Sequence, residues 1–324
     1  MASVPLVRVV RSGLEESIHA GDVAVVDADG RLMARAGDPG QEAYARSSMK
    51  PLQAAVSLSL CSFEPPDDEV SVMCASHNAE PVHVRAVRSL LARAGVEESA
   101  LRCPASLPWD QESLLAAPER LPIHSDCSGK HAGMLGACRE QGWPLAGYRE
   151  PDHPLQPRVL DAVRLASGVA EPQVGVDGCG VPVHGLPLAA MATIFARLAA
   201  PDRLGALEGH ARRAVSAMRA APYMVAGRNR VDTAVMEATP SVIVKAGAEG
   251  MVCAAVLDRG IGVAVKVRDG TARAAGPALI RALARLDVLD GSMLRALDGY
   301  ARPPVLGGGE PVGELVADFD LTPA

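Results

Sequence analysis

Long apolar runs are missing from this 324-residue sequence. None approaches the roughly 20 residues that a membrane-spanning helix needs. The longest candidate, near Leu186–Ala200, is interrupted by Arg197 and reads as a buried amphipathic helix. The first eleven residues carry no apolar segment of the signal-peptide kind, so a cytoplasmic protein is expected. A cysteine framework is missing too. The seven cysteines, at 61, 74, 103, 127, 138, 179 and 253, are odd in number and scattered, as expected of free thiols or metal ligands in a reducing compartment. There is no basic stripe. A net charge of -6 and a pI of about 5.8 argue against nucleic acid or an anionic membrane as partner. With 48% apolar and 22% charged residues, the composition is that of a globular chain.

Lysine is scarce. Of 32 basic residues only Lys50, Lys130, Lys245 and Lys266 are lysine, and the other 28 are arginine. Arginine-favouring base composition explains such a bias. A lysine kept in that background is still a candidate for work that arginine cannot do, because lysine can lose its proton and act as a base or a ligand.

No repeat or low-complexity tract is present. The N-terminal part reads as strands over Pro5–Arg11, Asp22–Asp27 and Arg31–Ala36, with a hairpin turn at Asp27–Gly30. A helix is expected from Ser47 to Leu60, then a buried strand or loop over Glu69–Ala75 and a helix over Val82–Ala94. Further helices are expected over Ala132–Gln141, Leu155–Gly168, Leu186–Leu198 and Arg203–Ala221. The chain then returns to strands over Ser241–Ala246, Met251–Leu257 and Gly262–Val267, followed by a helix over Pro277–Leu286 and a short one from Met293. Strands at both ends with helices between them predict an α+β fold. One antiparallel sheet would come from the two chain ends and a helix-rich part from approximately 83–221, with the active site expected in the cleft between them.

Three short motifs carry possible chemistry. Ser47-Ser-Met-Lys50 puts a serine and a lysine one turn apart, and Pro51 is tolerated only in a first helical turn, which places Ser47 near an N-cap. A neutral lysine there would take the serine proton and make a nucleophile; the bland reading is a capping serine beside a solvated lysine. Ser48, two residues from Lys50, faces elsewhere. Ser76-His-Asn78 fits a Ser-x-Asn element or, equally, a turn ending a strand. Lys245-Ala-Gly247 fits a strand lysine beside a substrate, or an edge lysine that blocks aggregation. With four Lys, two Asn and 31 Gly, the three together arise by chance at a rate on the order of one per cent. Two glycine-rich segments, His124–Met134 and Gly175–Pro182, read as loops with one cysteine each. Cys127, Lys130, His131, Asp177 and Cys179 are either a tetrahedral zinc site or two buried thiols in tight turns.

Together, Ala45–Pro51, Cys74–Asn78, Ser125–His131, Val176–Pro182 and Lys245–Gly250 resemble the rhizobial-type (class 3) L-asparaginases, the asparaginase II family, over nearly the whole chain. The resemblance implies one serine β-lactamase/glutaminase-like catalytic domain over residues 1–324, a homodimer, and hydrolysis of L-asparagine to L-aspartate and ammonia. It implies two catalytic pairs, Ser47 with Lys50 and Ser76 with Lys245. It implies zinc held by Cys127, Lys130 and Cys179 with Asp177 close by, and a substrate held by Arg46 and His131; Asn78 is a further substrate-orienting candidate. Ala246 stands where the wider β-lactamase pattern has Thr, which argues against a β-lactam-type substrate. Alternatives at this level are a related Ser-x-x-Lys hydrolase acting on glutamine, a peptide or an ester, and a non-catalytic zinc-binding sensor.

Overall fold

The structure, a computed structural model, describes residues 2–324. The described residues form two compact units: residues 2–48, 186–200 and 234–324, and residues 49–185 and 201–233. Among the described residues no helix is long and apolar enough to cross a membrane.

The first unit is built on an antiparallel sheet contributed by both chain ends. Its strand order runs Pro304–Gly307, Glu310–Ala317, Val4–Arg11, Leu14–Asp27, Ile261–Val267, Met251–Val256 and Val242–Gly247. Leu32–Ala36 pairs with Leu14–Asp27 and with the short strand Thr322–Pro323. Every residue of Met251–Val256 is buried, so both faces of the sheet are covered. The helices Leu188–Ala199 and Ala272–Arg285 pack on it. Gly262 shows how closely: a Cβ there would stand 1.8 Å from the Ala192 carbonyl oxygen.

The second unit is mostly helical: Lys50–Ser59, Asp67–Met73, Pro81–Arg93, Gln111–Ala116, Ser128–Glu140, Leu155–Ser167 and Glu208–Ala220. A small antiparallel hairpin, with Val174 opposite His184 and Val176 opposite Pro182, holds the Asp177–Gly180 turn. The α+β class expected from the sequence is the class observed.

Several local expectations change. Glu69–Ala75, expected as a strand or loop, lies largely in the helix Asp67–Met73; all five of its last residues are buried, so no polar face marks the helical period. Residues 128–131, expected in a loop, form the first turn of the helix Ser128–Glu140. The C-terminal helix begins at Ala272, and Pro277 lies inside it. Arg203–Ala221 is a 3-10 segment, Pro201–Leu207, broken at Gly205 (φ 54°), and then the helix Glu208–Ala220.

Candidate active site

Arg46–Met49 form a single 3-10 turn that is followed in the chain by the helix Lys50–Ser59. Pro51 lies in that helix's first turn, as expected, but the N-cap is Met49 and not Ser47. Arg46 has a φ of 50°, a left-handed conformation that non-glycine residues seldom hold. Ser47 is half-buried. Its neighbour Ser48 is buried and donates its hydroxyl to the Ala45 carbonyl at 2.6 Å, so Ser48 is committed to the turn. Lys245 is wholly buried on the strand Val242–Gly247, and its Nζ donates to the Ala246 carbonyl at 2.5 Å. Gly247 explains the small residue in that motif. A Cβ on it would stand 3.2 Å from Ala45 O and 3.3 Å from Arg46 Cβ, so its absence lets the Lys245 strand lie against the Arg46–Ser48 turn.

In the second unit, Ser76-His-Asn78 is an extended segment stitched on both sides. Ser76 N and Asn78 N donate to Val225 O and Ala226 O, and His77 N donates to Asp126 O. Lys50, wholly buried, reaches this segment. Its Nζ donates to Ala75 O at 2.6 Å and Asp126 O at 3.4 Å, and lies 2.9 Å from Ser76 Oγ. Two carbonyls thus take two of its protons. The third position faces the Ser76 hydroxyl, as a donor if charged and as an acceptor if neutral. Burial lowers the Lys50 pKa, but the Cys127 and Asp126 charges outweigh it and the net direction is upward. The Asp126 carboxylate, 3.7 Å from Nζ, was not singled out from the sequence.

His77 ties this segment to the cysteine segment. Its Nδ1 accepts from the Ala79 N–H at 3.1 Å, so the ring proton is on Nε2 and goes to Ser128 Oγ at 2.9 Å. Burial holds the ring's pKa well below its ordinary value. Ser128 in turn donates to Ile123 O. Ser128 opens the helix that carries Lys130 and His131, with Cys127 at its N-cap. Gly129 permits the docking: a Cβ would stand 2.1 Å from Val72 O.

Cys127, Lys130, Cys179 and His131 come together here, all at least nine-tenths buried. Lys130 Nζ donates to the Cys179 sulfur at 3.0 Å. Asp177 Oδ2 lies 3.5 Å from that sulfur. The Cys127 side chain and the Lys130 ammonium hold the Cys179 thiol well below its ordinary pKa, while Cys179 and burial push Cys127 up. Burial works against the Lys130 ammonium, but the Cys179 and Cys127 charges outweigh it and raise its pKa. Among the described residues no three His, Cys, Asp or Glu side chains gather as a ligand set. The two sulfurs reach three donors by counting the lysine amine, and the Asp177 carboxylate lies beside Cys179. Two thiolates and a nitrogen fit zinc with its fourth position open, provided that Lys130 is deprotonated.

Asn78 is fully engaged by protein. Its amide nitrogen donates to Arg228 O and Glu80 Oε1, and its Oδ1 accepts from Arg230 Nη1 at 2.9 Å. It therefore positions Arg230, whose guanidinium also donates to Ser76 O and lies 5.2 Å from the centre of the Trp109 ring. A cavity of about 590 Å³ opens there, lined by Asn78, Trp109, Arg230 and neighbours. Neither Arg230 nor Trp109 belongs to a motif that the sequence offers.

A family model described as L-asparaginase II matches residues 7–317. No curated protein is a significant match. Among solved structures, a β-lactamase from Mycobacterium bovis is similar at 16% identity, over 83% of this chain and 95% of that one, with a TM-score of 0.44. A Bacillus glutaminase is similar at 13% identity, over 83% and 91%, with a TM-score of 0.45.

Proposed function

We propose, from the premise that this chain belongs to the L-asparaginase II family, that it is an amidohydrolase converting L-asparagine to L-aspartate and ammonia with Ser47 as nucleophile. The observation that carries this reading is the burial of lysine amines against hydroxyl and thiol groups. Lys50, Lys130 and Lys245 are all at least 97% buried, and Lys50 sits 2.9 Å from Ser76 Oγ. Solvated surface lysines would not be there, and burial of a cation without a task is costly.

Neutral Lys50, one turn along the chain, takes the Ser47 proton as Ser47 Oγ attacks the side-chain amide carbon of asparagine. Backbone N–H groups hold the developing oxyanion. The proton on Lys50 has a route through the Ser76 hydroxyl, so Ser76 with Lys245 delivers it to the leaving nitrogen. Ammonia departs and Ser47 is left as an ester. Water then attacks that ester, giving aspartate and restoring the serine hydroxyl. Arg46 and His131 hold the substrate. Cys127, Lys130 and Cys179, with Asp177, would hold zinc. Zinc bound there would orient the substrate and tune the polarity of the pocket. A cytoplasmic homodimer completes the reading, and light scattering at assay concentration tests the dimer.

The test is ammonia release from asparagine and from glutamine, with and without chelator, for the native chain and for Ser47→Ala and Ser48→Ala. Asparagine is expected to be turned over, with Ser47→Ala lower by at least about a thousandfold. Ser48→Ala is expected to retain measurable turnover. Near-native activity in Ser47→Ala would remove this nucleophile.

A further inference from the structure

We propose that Tyr148 is a positioning residue that locks His131 in the tautomer with its proton on Nε2, so that this N–H is offered to an oxygen of the bound substrate. The substrate half of that statement rests on the amidohydrolase reading; the tautomer half does not.

Tyr148 is wholly buried, and its hydroxyl meets two groups. It accepts the Arg102 backbone N–H at 3.1 Å. It lies 2.5 Å from His131 Nδ1, with the two rings edge to face at 82°. A phenol has one proton. Its oxygen is already an acceptor for Arg102, and the acceptor within reach of its proton, among the described residues, is His131 Nδ1. If Nδ1 carried the hydrogen instead, the phenol proton would be left unpaired in a dry interior, which is unfavourable. Nδ1 is therefore the acceptor and Nε2 the donor.

The surroundings hold this arrangement. Gln156 Nε2 donates to Tyr148 O at 2.7 Å, and Arg149 Nη1 donates to Arg102 O at 2.7 Å, so the segments bearing the phenol and the Arg102 N–H are fastened to each other. Burial raises the phenol's pKa, so the proton stays available. With the phenol proton directed at Nδ1, the ring N–H that remains is on Nε2. That N–H is the unexplained group of the cluster. His131 Nε2 is buried and meets no nitrogen or oxygen acceptor among the described residues; only the Cys179 sulfur, itself a candidate zinc ligand, lies beside it. A donor held so, next to the candidate site, suits a ligand oxygen. In the other tautomer the same ring would offer a lone pair and repel that oxygen.

The experiment compares native protein with Tyr148→Phe, both as purified with metal, with histidine nitrogens labelled. His131→Gln identifies the His131 signals by their loss. The native protein is expected to show an unprotonated Nδ1 and a protonated Nε2; Tyr148→Phe is expected to shift population toward Nδ1–H. For asparagine, kcat/KM should fall about ten- to a hundredfold in Tyr148→Phe, the range of supporting-residue losses. In a His131→Gln background, where no tautomer exists to be set, Tyr148→Phe should change kcat/KM little further. A native His131 protonated on Nδ1, or an unchanged tautomer in Tyr148→Phe, overturns the proposal. Should Tyr148→Phe not fold, the native spectrum alone still decides the tautomer. Should the native protein release no ammonia, the functional reading fails while the tautomer test stands.

Discussion

A lysine and an arginine differ in whether the charge can be removed, and Lys50 is where that difference is most exposed to test. Its Nζ is fixed by Ala75 O, Asp126 O and Ser76 Oγ in a space without water contact. Lys50→Arg keeps the charge, adds volume in a filled site and removes the possibility of a neutral amine. It should lower kcat for ammonia release by at least about a thousandfold. Lys50→Met should fall comparably, and leaves two carbonyls without their donor. If Lys50→Arg kept activity within about tenfold, Lys50 would be supplying positive charge and not acting as a base. The three motifs were legible at this scale because their spacing is local. Asp126, Tyr148, Arg230 and Trp109 were not. Each is brought in by tertiary packing, and Tyr148 reaches His131 across 17 residues of chain. Nor were the partners of Asn78, whose amide bonds Glu80, Arg228 and Arg230.

Glycine decides how the elements meet. Gly129 and Gly133, which in the sequence suggest a loop around Cys127, lie in a helix and mark where it presses on Asp67–Met73. A Cβ at Gly133 would stand 2.6 Å from Met73 Cε, the movable end of a flexible side chain; one at Gly129 meets backbone, which cannot step aside. Gly129→Ala should therefore destabilise by about 1–3 kcal/mol or more in urea unfolding, and Gly133→Ala by less. Because Cys127 and Lys130 flank Gly129, the same variant should bind less zinc per chain by metal analysis. Equal stability of the two variants would mean that the helix pair is not in backbone contact. Strand positions followed the β-branched runs well, as with Val242–Gly247, which opens on Val-Ile-Val. The long strand Leu14–Asp27 was legible only in its buried half, because its exposed residues Leu14-Glu-Glu16 carry no alternation. The C-terminal strands Pro304–Gly307 and Glu310–Ala317 went unread: they are short or half-exposed, and Glu310–Ala317, on which Pro304–Gly307 pairs, gains its order from Val4–Arg11 across the whole length of the chain.

The molecule as a whole buries neutral histidines, and this sets how its stability must depend on pH. His77, His83 and His184 all have their pKa lowered, with burial the largest cause in each. His184, on the strand Pro182–Pro187, is brought to about 4 from an ordinary 6.5. Between those two values the unfolded chain binds a proton that the folded chain refuses. Stability from this residue is therefore complete above pH 6.5 and is lost as the pH falls toward 4. The full gap corresponds to about 3 kcal/mol. Urea unfolding of the native chain from pH 7 to 4.5 should show the midpoint falling steadily. His184→Gln has no titrating ring, so its curve should fall less steeply over the same range, whatever its absolute stability at pH 7. Parallel curves would mean that His184 charges in the folded state at little cost, and that the acid sensitivity lies with His77 and His83.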